Sequence, residues 1–157
     1  FFLESYQQER YKKLGIEENF VQDNHSFSKY GVLRGMHFQL SPPQAKLVWV
    51  IHGTIFDVVV DIRIDSPTFG QWEGIVLDDQ LHEQLFIPAG FAHGFCVLSS
   101  YAHVMYKVSA PYSPHSEQTL LFNDPGVGIE WPLETPIISE RDQQAPFLKD
   151  LTLRSFK

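Results

Sequence analysis

Apolar and polar residues alternate over short runs along most of the chain, a pattern typical of β-strands that bury one face. The pattern is clearest in residues 55–63, where every second side chain from Phe56 onward is apolar. The other face carries Asp57, Asp61 and Arg63, so it is either a solvated face or the lining of a polar cavity. Taken alone, the run favours a solvated face. If the strand belongs to a barrel, the uniformly apolar opposite face instead favours the lining of a polar cavity.

Turn signals recur every eight to twelve residues and divide the chain into about nine or ten strand-like runs, with little helix. The run 46–63 predicts a hairpin that turns at Gly53, and residues 20–24 predict a short strand that ends in a polar turn. Two short helices are expected, one closed by Gly15 and one capped by Ser139. This pattern is typical of an all-β sandwich or barrel.

Length and charge narrow the class of protein further. The 157 residues favour one domain over two, so residues 1–157 are expected to form a single domain. The net charge of −7 argues against nucleic acid and against an anionic membrane as partners. No apolar run is long enough to span a membrane, and no signal peptide is apparent. The single cysteine, Cys96, cannot form an internal disulfide, which fits a reducing, cytoplasmic setting.

Residues 31–39 place unusual groups inside a strand-like run. The cationic Arg34 and the imidazole of His37 lie among apolar side chains, and two glycines interrupt the run at Gly31 and Gly35. Glycines within a strand are typical of a bulge or of a close approach to the backbone. We therefore expect this strand to turn a polar edge toward a cavity, with His37 as a catalytic base.

The remaining candidates favour acid–base chemistry over a metal centre. His37 is followed by Phe38 and Gln39, and the chain has no His-x-His pair of the kind that holds metals in small β-barrels. A site built from three distant histidines stays open as a rival. A base, a cation and a phenol are what proton abstraction beside a ketone requires, and Lys46 and Tyr106 supply the last two. On these grounds a passive sugar-binding pocket also stays open.

Nine motifs cover nearly the whole chain: FFLESY, FVQDNHS, GVLRGMHFQ, KLVWVIHGTIFDVVVDIR, SPTFGQW, IPAGFAHGF, YKVSAPYSP, FNDPGVGIEWP and SERDQQAP. Their sequence and order resemble those of the dTDP-4-dehydrorhamnose 3,5-epimerase family. The resemblance implies a cupin-like jelly-roll barrel with a few short helices, no metal or other cofactor, and a homodimer. It also implies epimerisation of dTDP-4-dehydro-6-deoxy-D-glucose at C3 and C5 to dTDP-4-dehydro-L-rhamnose.

The resemblance assigns a role to each of four residues. It makes His37 the general base and Asp142 its dyad partner, which orients the ring and supports the imidazolium charge. It makes Lys46 the group that stabilises the enolate oxygen, and Tyr106 the acid that returns a proton from the opposite face.

It also implies a set of substrate contacts. Arg34 resembles the family's diphosphate contact and Tyr112 one of its nucleotide-side aromatic residues, while Asp57 and His93 fall where the family lines the sugar pocket. The contacts to the base and sugar that the family implies are Phe2, Glu4, Gln22 and Asn24.

The chain departs from the family pattern at three places. Trp49 stands where arginine is common, and Phe122 stands where tryptophan is common. The family strand that is usually exchanged between subunits would precede Phe1, so we expect it to be missing here.

Two alternatives to the double epimerase stay open. One is an epimerase of a related dTDP-4-keto sugar that acts at one carbon only, and the other is a non-catalytic jelly roll that binds a sugar nucleotide.

Overall fold

The computed structural model describes residues 1–153, in which ten β-strands and a few short helices form. The strands are β1 (Gln22–Lys29), β2 (Val32–Gln39), β3 (Lys46–His52), β4 (Thr54–Asp61), β5 (Trp72–Asp78), β6 (Gln84–Ile87), β7 (Phe91–Val97), β8 (Tyr101–Val108), β9 (Glu117–Thr119) and β10 (Ile137–Ile138). Helix α1 spans Gln8–Lys13, α2 spans Glu140–Gln143, and a 3-10 turn spans Leu148–Asp150. None of the helices among these residues is long and apolar enough to cross a membrane.

The strands are divided between two sheets that face each other. One sheet has four strands in the order β1-β8-β3-β6, and the other has six, in the order β10-β2-β7-β4-β5 with β9 pairing with β2. The short β10 runs parallel to β2, whereas the pairs within the rest of both sheets are antiparallel. The prediction of an all-β, cupin-like jelly roll is confirmed.

The predicted hairpin in residues 46–63 is wrong. Strand β3 pairs with β6 and β8 in one sheet, and β4 pairs with β5 and β7 in the other. The chain crosses from one sheet to the other at Gly53, whose φ is 90°. A side chain at this position would collide with the carbonyl oxygen of Tyr101. Two consecutive strands show the same apolar–polar alternation whether they pair with each other in a hairpin or join different sheets. The local sequence pattern therefore cannot distinguish these two arrangements.

Strand β1 is longer than predicted, because residues expected in a polar turn continue the strand as far as Lys29. The turn itself is confined to Tyr30 and Gly31. The residues of β1 that point inward are polar because they border a cavity. The strand therefore has no buried apolar face, and the alternation that would have predicted its second half is missing.

The core has two layers. One lies between the sheets and includes Val48, Ile55, Phe95 and Val104. The other covers the opposite face of the six-stranded sheet and is formed by Met36, Phe38, Val58, Val60, Ile62, Ala92 and Leu120, with Trp131 and Leu148 packed against it. Strand β4 is therefore buried on both faces. Asp57 has no exposed surface and lies behind the cavity wall, where it pairs with the lining residue His93, whereas Arg63 is partly exposed and pairs with the buried Asp61. The charged face of residues 55–63 is therefore solvated only at its end.

Candidate active site

A cavity of about 330 Å³ lies between the two sheets. Strands from both sheets contribute to its wall, together with the segments that flank β3 and β8. Its lining residues are Gln22, Asn24, Ser26, Arg34, His37, Gln44, Lys46, His93, Gly94, Phe95, Tyr106, Tyr112 and Glu117. The fold thus brings most of the residues predicted from sequence to one place.

His37 and Asp142 form a hydrogen-bonded pair beside this cavity. The Nε2 atom of His37 lies 2.7 Å from Oδ1 of Asp142, and Oδ2 of the same carboxylate accepts the backbone N–H of Gly35 at 3.2 Å. Asp142 is buried in α2, whose first turn is capped by the Ser139 side chain. Burial acts to raise the pKa of Asp142, but the hydrogen bonds from His37 and Gly35 outweigh it and hold the pKa below its ordinary value.

Two glycines set the position of His37. The ladder between β2 and β7 has an irregularity between Arg34 and His37, after which His37 lies opposite His93. A Cβ on Gly35, whose φ is 122°, would lie 2.6 Å from Cα of Gly94 and 2.8 Å from the carbonyl oxygen of His93. A Cβ on Gly94 would meet the carbonyl oxygen of Arg34 at 2.8 Å. The two strands can approach this closely only without side chains at both positions.

Lys46 opens β3 and is buried, with its Nζ donating to the carbonyl oxygen of His37 at 3.3 Å. Burial lowers the pKa of Lys46 to about 8, and the nearby carboxylates of Glu117 and Asp57 keep the pKa from falling further. The amine is therefore mostly charged at neutral pH, inside a wall that excludes much of the water.

Tyr106 lies on β8, opposite Asn24 on β1 and Val48 on β3. Burial raises the pKa of the Tyr106 phenol, and the negative charge of Glu117 raises it further, against the opposing effect of Arg34. The phenol is thus held in its protonated form across the physiological range.

A second histidine–carboxylate pair borders the cavity. Nε2 of His93 lies 3.0 Å from Oδ1 and 2.9 Å from Oδ2 of Asp57, and both residues are buried. Burial lowers the pKa of His93 although Asp57 acts to raise it, and the charges of Lys46 and His37 add to the lowering. The pair places a neutral imidazole, oriented by a carboxylate, next to Lys46.

The residues predicted to hold the nucleotide lie along β1, β2 and the segment after β8. Nε of Arg34 donates to the Ser28 hydroxyl at 2.9 Å, which holds the guanidinium at the cavity wall. Gln22 donates to Asn24 at 2.8 Å and accepts the backbone N–H of Tyr112 at 3.2 Å. These contacts connect the predicted binding residues to one another.

Phe2 and Glu4 are not brought to this cavity. Phe2 is 95% exposed, and Glu4 forms an ion pair of 2.8 Å with Arg10. Glu4 borders a separate depression that also contains Leu14 and Leu47. Within one chain, these two side chains are therefore separated from the other predicted site residues.

Glu117, which no sequence pattern predicted, lines the cavity close to Lys46 and Tyr106. It reaches the site because β9 pairs with β2, and its carboxylate accepts a hydrogen bond of 2.6 Å from Arg141. Since Arg141 precedes Asp142 in α2, this ion pair connects the helix that carries Asp142 to the cavity wall. Gln44 and Ser26 are further lining residues that sequence reasoning missed.

The described part of the chain contains no group of three histidine, cysteine or acidic side chains arranged to hold a metal ion. Cys96 is buried in β7, and burial raises the pKa of its thiol to about 11. The geometry of the cavity is that of an acid–base site: a histidine–aspartate pair, a buried ammonium and a protonated phenol.

Comparison with known proteins identifies the family. Residues 1–150 match the family model described as dTDP-4-dehydrorhamnose 3,5-epimerase. The chain belongs to this family. The members named dTDP-4-dehydrorhamnose 3,5-epimerase include one from Salmonella typhimurium that is 52% identical over 156 residues, covering 98% of this chain and 85% of the relative. Another, from Neisseria gonorrhoeae, is 51% identical over 90% of this chain, which spans only 44% of that relative's length.

A solved structure of the epimerase family has the same fold. The dTDP-6-deoxy-D-glucose-3,5-epimerase of Legionella pneumophila, crystallised in complex with dTDP-4-keto-L-rhamnose, superimposes with a TM-score of 0.93. It is 50% identical in sequence, and the match covers 96% of this chain and 81% of that one.

Proposed function

We propose that this protein is an isomerase that epimerises dTDP-4-dehydro-6-deoxy-D-glucose at C3 and C5 to give dTDP-4-dehydro-L-rhamnose. The observation that carries the proposal is the meeting of the His37–Asp142 pair, Lys46 and Tyr106 at one cavity in a chain of the epimerase family. The C4 ketone of such a sugar acidifies the protons on both neighbouring carbons, so one set of groups can serve C3 and C5 in turn.

In the first step, His37 removes the proton from the carbon beside the ketone. Its Nε2–H donates to Asp142, so Nδ1 is the nitrogen left to accept a proton. The carboxylate then faces an imidazolium, and its charge stabilises that cation as it forms. The electron pair of the broken C–H bond moves to the ketone oxygen and produces an enolate.

Lys46 stabilises the enolate oxygen. Its ammonium is buried, and a charge in a site of low dielectric acts more strongly on a developing negative charge than one in water. Because its pKa is about 8, the amine is charged at neutral pH and loses this function in alkaline solution.

Tyr106 returns a proton to the carbon from the opposite face, which inverts the configuration. Each inversion leaves one proton on His37 and one missing from Tyr106, so both groups exchange protons with solvent before the next turnover. Hydrogen from water is therefore incorporated at every carbon that is inverted.

The nucleotide is held away from the reacting carbons. Arg34 supplies the cation for the diphosphate, and a guanidinium suits this role because it can bind phosphate oxygens through two parallel hydrogen bonds. Gln22, Asn24 and Tyr112 contact the base and its sugar, while Asp57 and His93 border the reacting sugar.

We also infer that the protein acts as a homodimer in the cytoplasm. Phe1, Phe2 and Leu3 expose apolar surface in a segment without regular structure, and a partner subunit would cover them. In such a dimer Phe2 and Glu4 would contact the substrate of the partner's cavity rather than their own. The buried free thiol of Cys96 fits a reducing compartment.

Incubation with dTDP-4-dehydro-6-deoxy-D-glucose in D₂O tests the proposed activity. Inversion with deuterium at both C3 and C5, read by mass spectrometry and NMR, is the expected result. Deuterium at one carbon only would establish the single-carbon epimerase instead. Binding of the substrate without any deuterium uptake would establish the non-catalytic alternative.

A further inference from the structure

Gln39 is a buried polar side chain whose hydrogen bonds go to two loops that border the cavity. It is 3% exposed and ends β2, two residues after His37 on the same face of the strand. Burying an amide is unfavourable unless its polar atoms are paired. Its partners are all backbone groups, those of Pro42 in one loop and of Pro111 and Ser113 in the other.

The Gln39 amide satisfies these three groups in one orientation only. Its Nε2 donates one N–H to the carbonyl oxygen of Pro42 at 3.0 Å and the other to that of Pro111 at 3.2 Å. Its Oε1 accepts the backbone N–H of Ser113 at 2.9 Å. Carbonyl oxygens only accept and the N–H only donates, so neither a carboxylate nor an apolar side chain of the same size can replace the amide.

Tyr112 lies between the two residues of the second loop that Gln39 holds. The peptide unit before Tyr112 contributes the Pro111 carbonyl, and the unit after it contributes the Ser113 N–H. The angles φ and ψ of Tyr112 are rotations about the bonds that join its Cα to these two planar units. One amide therefore fixes both planes, and with them the direction in which the Tyr112 side chain leaves the backbone.

The first of these two peptide units is also held from the opposite sheet. Its N–H, which belongs to Tyr112, donates to the side-chain oxygen of Gln22 on β1 at 3.2 Å, while its carbonyl accepts from Gln39 on β2. Tyr112 lies outside regular structure and is 52% exposed, so packing restrains its ring only in part. Its position depends on these two glutamine side chains.

The backbone of Gln39 holds the far end of the same loop. Gln39 lies opposite Glu117 in the antiparallel pair of β2 and β9, and the backbone N–H groups of Ser116 and Glu117 both donate to the carbonyl oxygen of Ser113. One residue thus restrains residues 111–117 at both ends. Removing only its side chain releases the Tyr112 end and leaves the strand pairing that carries Glu117 to the cavity.

We propose that Gln39 is a positioning residue for nucleotide binding, which acts by holding Tyr112 at a fixed distance from His37. The inference rests on the proposed function, in which Tyr112 contacts the nucleotide and His37 removes the proton. Because His37 and Gln39 belong to one strand, that strand sets the separation between the base and the aromatic residue. A ring that is oriented before the ligand arrives loses less freedom on binding.

Gln39→Met tests this role, because methionine keeps the length of the side chain and removes its donors and acceptor. We expect the dissociation constant for dTDP, measured by isothermal titration calorimetry, to rise at least about tenfold, the order of effect of losing a base–aromatic stack. KM should rise by a similar factor, whereas kcat at saturating substrate should stay within about threefold of the wild type. Gln71→Met, the same change at an exposed position, should bind dTDP like the wild type.

Circular dichroism verifies that each variant is folded. If Gln39→Met does not fold, Gln39→Asn takes its place, since it keeps an amide that is one methylene too short to reach both loops. The same rise in the dissociation constant is expected. Folded variants that bind dTDP as tightly as Gln71→Met would overturn the proposal, and so would a loss of kcat as large as the rise in KM.

A double-mutant cycle with Tyr112→Ala separates positioning from a general structural role. If Gln39 acts through Tyr112, Gln39→Met should change the dissociation constant for dTDP less than about twofold in the Tyr112→Ala background. A glutamine that only supports the fold would weaken binding by the same factor in both backgrounds, and this additive result would overturn the proposal. A protein that shows the expected cycle but takes up no deuterium from D₂O would overturn the epimerase activity and leave the role of Gln39 intact.

Discussion

The carboxylate of Asp142 binds His37 and the backbone of the strand that carries it at the same time. One oxygen accepts the ring Nε2–H at 2.7 Å and the other accepts the N–H of Gly35, two residues before the histidine. The ring and its strand are therefore fixed by a single buried anion. The position of the base therefore depends on this one carboxylate in two ways, through the ring and through the strand.

Replacing Asp142 with Asn should lower kcat by about 10²–10⁴-fold, because the amide keeps the volume but cannot stabilise an imidazolium. KM should change much less, since the nucleotide is held elsewhere.

His37→Asn should lower kcat at least about 10²-fold. The double variant should have a kcat little lower than that of His37→Asn alone, because the two residues act as a unit. Steady-state kinetics of the three variants, with Glu140→Gln as the control, test this prediction. If the losses of activity in the two single variants add up in the double variant, His37 and Asp142 do not act as a dyad.

Tyr106→Phe should separate proton removal from inversion. The variant keeps His37 and Lys46, so it should still form the enolate, but it lacks the donor on the opposite face. Deuterium from D₂O should therefore enter substrate that keeps its starting configuration, as measured by NMR of the recovered sugar nucleotide. If exchange and inversion are lost equally, Tyr106 has a binding or structural role instead.

The pH dependence of kcat should report on Lys46. Its ammonium is the active form and its pKa is about 8, so kcat should fall as the pH rises through that value. Glu117 raises the pKa of Lys46, so Glu117→Gln should move this alkaline limb to lower pH. A pH profile of Glu117→Gln that coincides with those of the wild type and of the exposed control Glu140→Gln would show that Glu117 does not act on Lys46.

Lys46→Met should abolish activity and raise stability. The native pKa of about 8 lies below the 10.5 of a free lysine, so below pH 8 the folded protein carries an unfavourable charge costing roughly 3 kcal/mol. This cost disappears as the pH rises from about 8 to 10.5, because the unfolded chain then binds more protons than the native one. The variant should melt several degrees higher at pH 7, and the difference should shrink at pH 10.

Thermal unfolding followed by circular dichroism, with the exposed Lys13→Met as the control, measures this. A Lys46→Met protein that is less stable than the wild type at pH 7 would show that the hydrogen bond to His37 outweighs the burial of the charge.

The positions of the strands along the chain were predictable from sequence where one face of a strand is apolar. The prediction failed at β1, because Gln22, Asn24 and Ser26 line the cavity and leave the strand polar on its inner face. It also failed at Gly53, since alternation within a run does not record which sheet the run joins. Both failures occur where the chain builds the cavity or closes the barrel.

His37, Lys46 and Tyr106 could be expected at one cavity because they lie in long motifs that resemble those of the epimerase family, and all three line its wall. Glu117 could not, since its approach to Lys46 depends on the pairing of β9 with β2, which no local pattern encodes. Phe2 and Glu4 were predicted to contact the base and the sugar of the substrate. Their predicted contacts remain proposals, because a single chain leaves them apart from the cavity.

The contact between Gly35 and Gly94 has a consequence for directed evolution of this protein. A methyl group at either position would displace the other strand, and the displacement would move His37 relative to His93. Neither position can therefore be improved by stepwise randomisation, and a library that includes them loses most of its members to inactive variants. Diversity is better placed at exposed Tyr112 on the cavity rim, where a new side chain can alter the accepted sugar nucleotide without moving the two strands.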